Sequence, residues 1–217
     1  MMKIGFLLYP HVTQLDLTGP AQVFATAGQA ELYFVWKDLA PVRTDAALSL
    51  LPNATFATCP SLDLLCVPGG PGQVLLMSDP EVLGWLARQG QQAQWVTSVC
   101  SGSLLLGAAG LLNGYRAASH WNYSQHLAAF GATADAGRVV RDRNRITGGG
   151  VTAGIDMALQ VLAMLVGESQ AQQVQLQLEY APQPPFDCGR PELAGEALVA
   201  LAREQLARQV AAVAAAT

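Results

Sequence analysis

Charged and aromatic side chains are scarce in this sequence of 217 residues, at 13% and 7%. The 12 lysines and arginines do not balance the 16 aspartates and glutamates, so the net charge is −4 and nucleic acid is not an expected partner. The four cysteines form no Cys-x-x-Cys pair, and no nearby histidine completes zinc-ligand spacing. These absences predict a protein that works without metal or nucleic acid.

Long uninterrupted apolar runs are also missing. The Ala-rich segment Glu192–Val213 is predicted to be one amphipathic helix, but charged residues interrupt it, so it is too polar to span a membrane. The first predicted strand begins at Lys3 with no secretory leader before it. We therefore expect a cytoplasmic protein with free thiols and no membrane association.

What the sequence does contain is an alternation of strand-like and helix-like segments, in a chain that is 51% hydrophobic. It predicts one α/β domain over residues 1–217 with a mostly parallel central sheet. The predicted strands are Lys3–Tyr9, Glu31–Lys37, Leu62–Val67, Gln94–Val99 and a hairpin within Val139–Thr147, and the predicted helices are Leu15–Ala27, Glu81–Gln92, Ser101–Ala109, Tyr123–Phe130, Thr152–Val166 and Ser169–Glu179.

Polar or glycine-rich segments follow several of these strands. In parallel sheets, ligands bind outside the carboxyl ends of the strands. The segments expected to meet at this edge are Tyr9–Asp16, Pro68–Gly72, Cys100–Gly102 and Gly148–Thr152. The arginines of the hairpin are expected to lie mostly on a solvated face, which favours an ordinary surface over a phosphate site.

Cys100 occupies the most informative position, at the end of an apolar strand and before the small residues Ser101 and Gly102. This context predicts a nucleophile elbow, a sharp strand-to-helix turn that presents the side chain to the helix N-terminus. The helix dipole there should favour the thiolate. The alternative is an inert buried cysteine, which is how we interpret Cys66.

Seven motifs in order resemble the ThiJ/PfpI superfamily, and within it the branch that hydrates isonitriles. The resemblance covers nearly the whole chain and implies a flavodoxin-like α/β sandwich that forms a homodimer. The motifs are Ile4–Pro10, Gln14–Pro20, Val67–Gly70, Thr97–Ser103, Ser119–Trp121, Thr147–Gly150 and Gln175–Phe186.

The resemblance implies addition of water to an isonitrile, giving an N-substituted formamide without metal or organic cofactor. Cys100 matches the family nucleophile and Asp16 matches the acidic residue that faces it. A neighbouring thiolate and partial desolvation would raise the pKa of such a carboxyl, so that it could donate and then accept a proton. Ser101 stands where the known hydratase has threonine, and a water-orienting role is implied for it. A noncovalent route, with Cys100 only polarising or protonating the substrate, stays open.

Four further residues are candidates for substrate binding. The backbone N–H groups of Gly70 and of Cys100–Ser101 could form an anion cradle. His120, Trp121 and Gly150 are expected near the substrate, although His120 also suits a core or dimer-face position and Trp121 also suits the core. Asp16 has an alternative too, as an acid that interacts with the beginning of its own helix.

Other branches of the superfamily fit less well. Peptidase-like members place histidine directly after the cysteine, where this chain has Ser101. Amidotransferases need a His-x-Glu pair late in the chain, and His126 is the last histidine. The remaining competitor is a ligand-sensing or redox-chaperone module. Related sensing domains of transcription regulators continue into a helix-turn-helix segment that we do not find by Thr217, and this favours an enzyme.

Overall fold

The computed structural model describes residues 1–215, so the last two residues of the predicted domain lie outside the described residues. Its main feature is a seven-stranded sheet in the order β10-β11-β7-β6-β1-β2-β5. The strands are β1 (Met2–Leu7), β2 (Ala30–Trp36), β3 (Val42–Arg43), β4 (Ser49–Leu50), β5 (Ala54–Thr55), β6 (Leu64–Val67), β7 (Trp95–Val99), β8 (Arg116–Ala117), β9 (Thr133–Ala134), β10 (Val139–Asp142) and β11 (Arg145–Gly148).

Neighbouring strands of this sheet are parallel except for the antiparallel pair β10–β11. Strands β3 and β4 form a separate pair, as do β8 and β9. The helices are α1 (Gln14–Ala27), α2 (Gln73–Leu76), α3 (Pro80–Gln92), α4 (Gly102–Ala108), α5 (Ala153–Val166), α6 (Glu168–Gln177), α7 (Pro191–Ala194) and α8 (Glu196–Ala215), and Ser124–Phe130 is a 3₁₀ helix. The α/β fold with a mostly parallel central sheet is confirmed.

The core explains why the carboxyl ends of the central strands meet. All four residues of β6 are buried, as are the last four of β7, so both strands are covered on both faces. Helices α1, α5 and α6 pack together, and α3 packs against α4. Because β1, β6 and β7 run in the same direction, the segments after Leu7, Val67 and Val99 emerge side by side.

Some sequence predictions about the helices were wrong. The segment Glu192–Val213 is not one helix, because Gly195 adopts φ 76° and separates α7 from α8. Tyr123–Phe130 is mostly a 3₁₀ helix, and α2 was not predicted. Thr152, the first residue of a predicted helix, occupies the N-cap position of α5, but its hydroxyl makes no capping hydrogen bond and accepts one from Arg138.

The predicted hairpin is confirmed as β10–β11, but one of its arginines is not on a solvated face. Arg145 is only 7% exposed, because its side chain packs over the Tyr115 ring and its Nε donates to the Leu111 carbonyl oxygen. Within residues 1–215, no helix is both long and apolar enough to cross a membrane.

Candidate active site

Cys100 lies in the turn between β7 and α4, with φ 58°. This left-handed conformation costs a residue with a side chain roughly 1–3 kcal/mol, so it persists only where neighbours hold it. Its N–H donates to the carbonyl oxygens of Gly148 (3.2 Å) and Gly149 (2.7 Å) after β11. The predicted nucleophile elbow is therefore present.

Three donors hold the other side of the elbow by converging on the Cys100 carbonyl oxygen. They are the hydroxyls of Ser119 (3.1 Å) and Ser103 (3.3 Å) and the backbone N–H of His120 (3.3 Å). The next turn of chain has no room for a side chain, since a Cβ at Gly102 would lie 2.0 Å from the Val67 carbonyl oxygen. The thiol position is thus fixed from several sides.

Asp16 lies in the first turn of α1 and is completely buried. Its Oδ2 accepts the Gly69 N–H at 2.9 Å, while Oδ1 has no hydrogen-bond partner of normal geometry among residues 1–215. Another acid serves the beginning of α1: Asp45 accepts the Thr13 hydroxyl (2.7 Å) and the Gln14 N–H (3.3 Å). Asp16 therefore faces the site instead of the end of its own helix.

Burial raises the pKa of the Asp16 carboxyl to about 7. Hydrogen bonds from the Gly69 N–H and the Cys100 thiol lower this pKa, and the negative charge of Asp45 raises it. The sequence correctly predicted the direction of this shift and the part of desolvation in it, but the interaction with Cys100 lowers the pKa of Asp16 where we expected the like charge of a thiolate to raise it.

The Cys100 thiol does not follow the prediction of a favoured thiolate. Burial, followed by the charge of Asp16, raises the pKa of this thiol well above its ordinary value. The Ser101 N–H and hydroxyl at the beginning of α4 lower it, but the first two effects are larger. Near neutral pH the thiol keeps its proton and Asp16 is close to half ionised. Because each group shifts the pKa of the other, the two titrate as a coupled pair.

The turn Pro68–Gly72, which follows β6, closes one side of the site, and its backbone lies close to the backbone of Ser101. A Cβ on Gly69 would lie 2.6 Å from the Ser101 nitrogen, and Gly70 has φ 140°. The Gly70 N–H donates to the Ser101 hydroxyl at 3.2 Å. The Cys100 N–H is occupied as well, by the Gly148 and Gly149 carbonyl oxygens. Neither the Gly70 N–H nor the Cys100 N–H is therefore free to bind an anion, as the predicted cradle requires. The Ser101 N–H faces the thiol instead.

The other predicted substrate-binding residues line a cleft of about 800 Å³ beside the elbow. It holds His120, Trp121 and Gly150, whereas Cys100 and Asp16 are not among its described lining residues. Burial lowers the pKa of His120, whose Nδ1 accepts the Asn122 N–H at 3.3 Å, so the imidazole is neutral. The cleft is also lined by α7, α8 and the segment before them, including Arg190, Glu192 and Arg203, and the Arg203 guanidinium lies over the Trp121 ring.

The sequence analysis placed Tyr9 at the ligand-binding edge of the sheet but gave it no role; Tyr9 lies just after β1 and is fully buried. Its hydroxyl donates to the Pro68 carbonyl oxygen at 3.1 Å. Burial, followed by the charges of Asp16 and Cys100, raises the pKa of this hydroxyl well above its ordinary value. A tyrosine at the carboxyl end of a predicted strand was the available signal. Across residues 1–215, His, Cys, Asp and Glu side chains do not gather into a group of three that could hold a metal ion.

Comparison with known proteins places this geometry in context. Residues 2–164 match the model of the DJ-1/PfpI family. Isonitrile hydratase from Pseudomonas putida is 54% identical over 206 residues, which are 95% of this chain and 90% of that protein. The HTH-type transcriptional regulator GbdR from Pseudomonas aeruginosa is 33% identical over 74% of this chain and 46% of the regulator.

The fold comparison agrees. The crystal structure of a ThiJ/PfpI family protein from Pseudomonas syringae superimposes with a TM-score of 0.93 at 46% identity, covering 99% of this chain and 89% of that one. The resemblance inferred from the motifs is confirmed.

Proposed function

This chain belongs to the DJ-1/PfpI family, and from that premise we propose that it is an enzyme that hydrates isonitriles to N-substituted formamides at Cys100 and Asp16. One observation carries the proposal. A buried carboxyl with a pKa of about 7 faces a buried thiol that keeps its proton, so a base and a nucleophile are poised together near neutral pH.

The first half-reaction uses the proton that the pair holds. The Asp16 carboxylate takes the Cys100 proton as sulfur adds to the terminal isonitrile carbon. Asp16 then gives this proton to the same carbon, and one carbon–nitrogen π pair becomes the nitrogen lone pair. The product is a thioimidate, R–N=CH–S–Cys100. Since the thiol begins protonated, no separate proton source is required.

The second half-reaction consumes water. Ionised Asp16 removes a proton from a water molecule oriented by the Ser101 hydroxyl, and the oxygen adds to the thioimidate carbon. Nitrogen takes up the proton as the carbon–nitrogen double bond becomes single. The carbon–sulfur bond then breaks, the remaining hydroxyl proton returns to sulfur through Asp16, and R–NH–CHO leaves. Both water protons are accounted for, one on nitrogen and one on the restored thiol.

The narrowness of the site supports this substrate class. Cys100 is only 6% exposed, so the reacting end of the substrate must be slim. The linear N≡C group is two atoms long and has no substituent on its terminal carbon. Its R group stays in the cleft beside His120, Trp121 and Gly150. Gly70 contributes by holding the Ser101 hydroxyl in place.

The same proposal includes the setting of the enzyme. It works as a cytoplasmic homodimer, as the family resemblance implies, without nucleic acid or membrane as partner. The four cysteines are free thiols, which suits a reducing compartment. The net charge of −4 does not favour binding to phosphate backbones.

A sensing role is the second candidate, and the similarity to GbdR favours it. A redox sensor needs an accessible cysteine of low pKa, because the thiolate is the form that oxidants attack. Cys100 is buried and its pKa is raised, so it lacks both properties. The structure of the site thus favours turnover over oxidation.

The test is to incubate the protein with a small alkyl isonitrile and to follow formamide by chromatography. We expect steady turnover by the wild type and none by Cys100→Ala. Cys188→Ala is the matched control, because it removes an exposed thiol that is not among the described lining residues of the cleft, and it should leave turnover unchanged. Formation of less than one formamide per protein molecule in the wild type would contradict an enzymatic role.

A further inference from the structure

The Pro68–Gly69 peptide group connects Tyr9 to Asp16. Its carbonyl oxygen accepts the Tyr9 hydroxyl at 3.1 Å, and its N–H donates to Asp16 Oδ2 at 2.9 Å. In a planar trans peptide the C=O and N–H point in opposite directions, so one rigid unit links the two side chains. Whatever fixes the rotation of this unit also fixes the only normal hydrogen bond that the Asp16 side chain makes within residues 1–215.

The surrounding chain allows little freedom to the ends of this link. The Thr13 N–H donates to the Gly69 carbonyl oxygen at 2.9 Å, and Tyr9 itself is fully buried. A Cβ at Gly102 would lie 2.8 Å from the Pro68 carbonyl oxygen. The Tyr9 hydroxyl therefore fills the narrow space that this buried carbonyl faces, and it satisfies an acceptor that would be costly to leave unpaired.

From this geometry we propose that Tyr9 is a positioning residue for the hydration reaction: its hydroxyl orients and polarises the Pro68–Gly69 peptide group so that the Gly69 N–H holds Asp16 ready for proton transfer. The inference rests on the proposed function for its activity readout. Tyr9 acts through the peptide group, so it does not need to touch the substrate. Hydrogen bonds in a chain strengthen one another, which gives the tyrosine its influence over the carboxylate.

Loss of the Tyr9 hydroxyl should change the pKa of Asp16 in one direction only, upward. The Gly69 N–H lowers the pKa of Asp16, opposing the larger effect of burial. Losing the Tyr9 hydroxyl weakens this N–H as a donor, so the pKa of Asp16 should rise. Among the described residues, the other titratable groups that interact with Asp16 are Cys100 on the elbow, Asp45 on the β3–β4 turn and the buried Cys66 on β6, and none of them changes in the test.

The first experiment compares the pH dependence of kcat in the wild type and in Tyr9→Phe. We expect the acidic limb to move upward by roughly half a pH unit to one unit. Turnover near pH 7, where the wild-type carboxyl is close to half ionised, should fall about twofold to fivefold with KM unchanged, and it should recover in alkali. Tyr33→Phe is the matched control, because it removes a tyrosine hydroxyl whose partner is Glu31 on β2. A loss of turnover that is equal at every pH would overturn the proposal.

A second measurement does not depend on activity. Carbon-13 NMR of the Asp16 carboxyl, without substrate, reports its pKa in both proteins. Uniform 3-fluorotyrosine labelling of the wild type keeps the side-chain shape and makes the hydroxyl a stronger donor, so it should move the Asp16 pKa downward. The labelled Tyr9→Phe protein corrects for the other four tyrosines.

The two measurements separate the two proposals. If the Asp16 titration moves as expected while no isonitrile is hydrated, the role of Tyr9 in setting Asp16 stands and the proposed function fails. If hydration is observed but neither Tyr9→Phe nor fluorination moves the Asp16 titration, the positioning role is refuted. Should Tyr9→Phe fail to fold, the labelled wild type, read against its unlabelled form, still decides the question.

Discussion

Asp16 should make the folded protein less stable as the pH rises, and its replacement by asparagine should remove this cost. The pKa of its carboxyl is 3.8 in the unfolded chain and about 7 in the native site. The difference is about three units at 1.36 kcal/mol each, or about 4 kcal/mol. Since the native pKa is the higher one, the native state loses this stability between these two pH values. Asparagine keeps the shape and can accept the Gly69 N–H.

Urea denaturation of wild type and Asp16→Asn at several pH values tests this. The variant should be more stable by an amount that grows from about pH 4 and levels off at about 4 kcal/mol above pH 7. Glu168→Gln is the control, because Glu168 is an exposed acid in the first turn of α6, and its difference curve should stay flat. The reasoning would be refuted if the difference in free energy of unfolding between Asp16→Asn and wild type did not change with pH, or if the variant were less stable than wild type at pH 8.

Three further outcomes follow from the site. Asp16→Asn should lower turnover by roughly two to four decades. The same variant should speed alkylation of Cys100, because the Asp16 charge that helps to raise the thiol pKa is gone. Peptide mass spectrometry measures the alkylation of Cys100 and of the exposed Cys188, and an unchanged ratio of the two rates would argue against coupling of Asp16 to Cys100. Gly69→Ala should abolish turnover, because its Cβ would lie 2.6 Å from a backbone nitrogen, whereas Gly84→Ala, with 3.5 Å to a flexible side chain, should keep wild-type rates. Cys100→Ala should unfold at a temperature close to that of the wild type while making no formamide, as circular dichroism and chromatography would show.

The sequence was sufficient for the features that depend on local pattern. Alternating apolar segments predicted the sheet and most helices, and small residues around Cys100 predicted the elbow that the structure shows with φ 58°. Gly195 is the signal in the sequence for the break between α7 and α8, but the long Ala-rich pattern around it predicts a continuous helix. Local signals thus placed the strained strand-to-helix turn at Cys100 correctly and the helix boundaries less well.

Protonation could not be predicted in the same way. The helix N-terminus suggested a thiolate at Cys100, but burial of the thiol and the charge of the facing Asp16 outweigh this effect. The link from Tyr9 to Pro68 joins residues 59 positions apart, and the hydrogen bond from the Gln14 N–H to Asp45 joins residues 31 positions apart. Such long-range contacts leave no periodic trace in the sequence. They become visible only when the fold brings the segments together.

The close backbone packing around the elbow also bears on how this protein can diversify. Gly69 and Gly102 leave no space for even one extra carbon, so the walls around the reacting pair are closed to ordinary substitution. The cleft beside the elbow is lined in part by side chains from α7, α8 and the segment before them, such as Arg190 and Arg203. New substrate ranges should therefore evolve by exchange of residues in α7 and α8, while the chemistry near Cys100 stays constant.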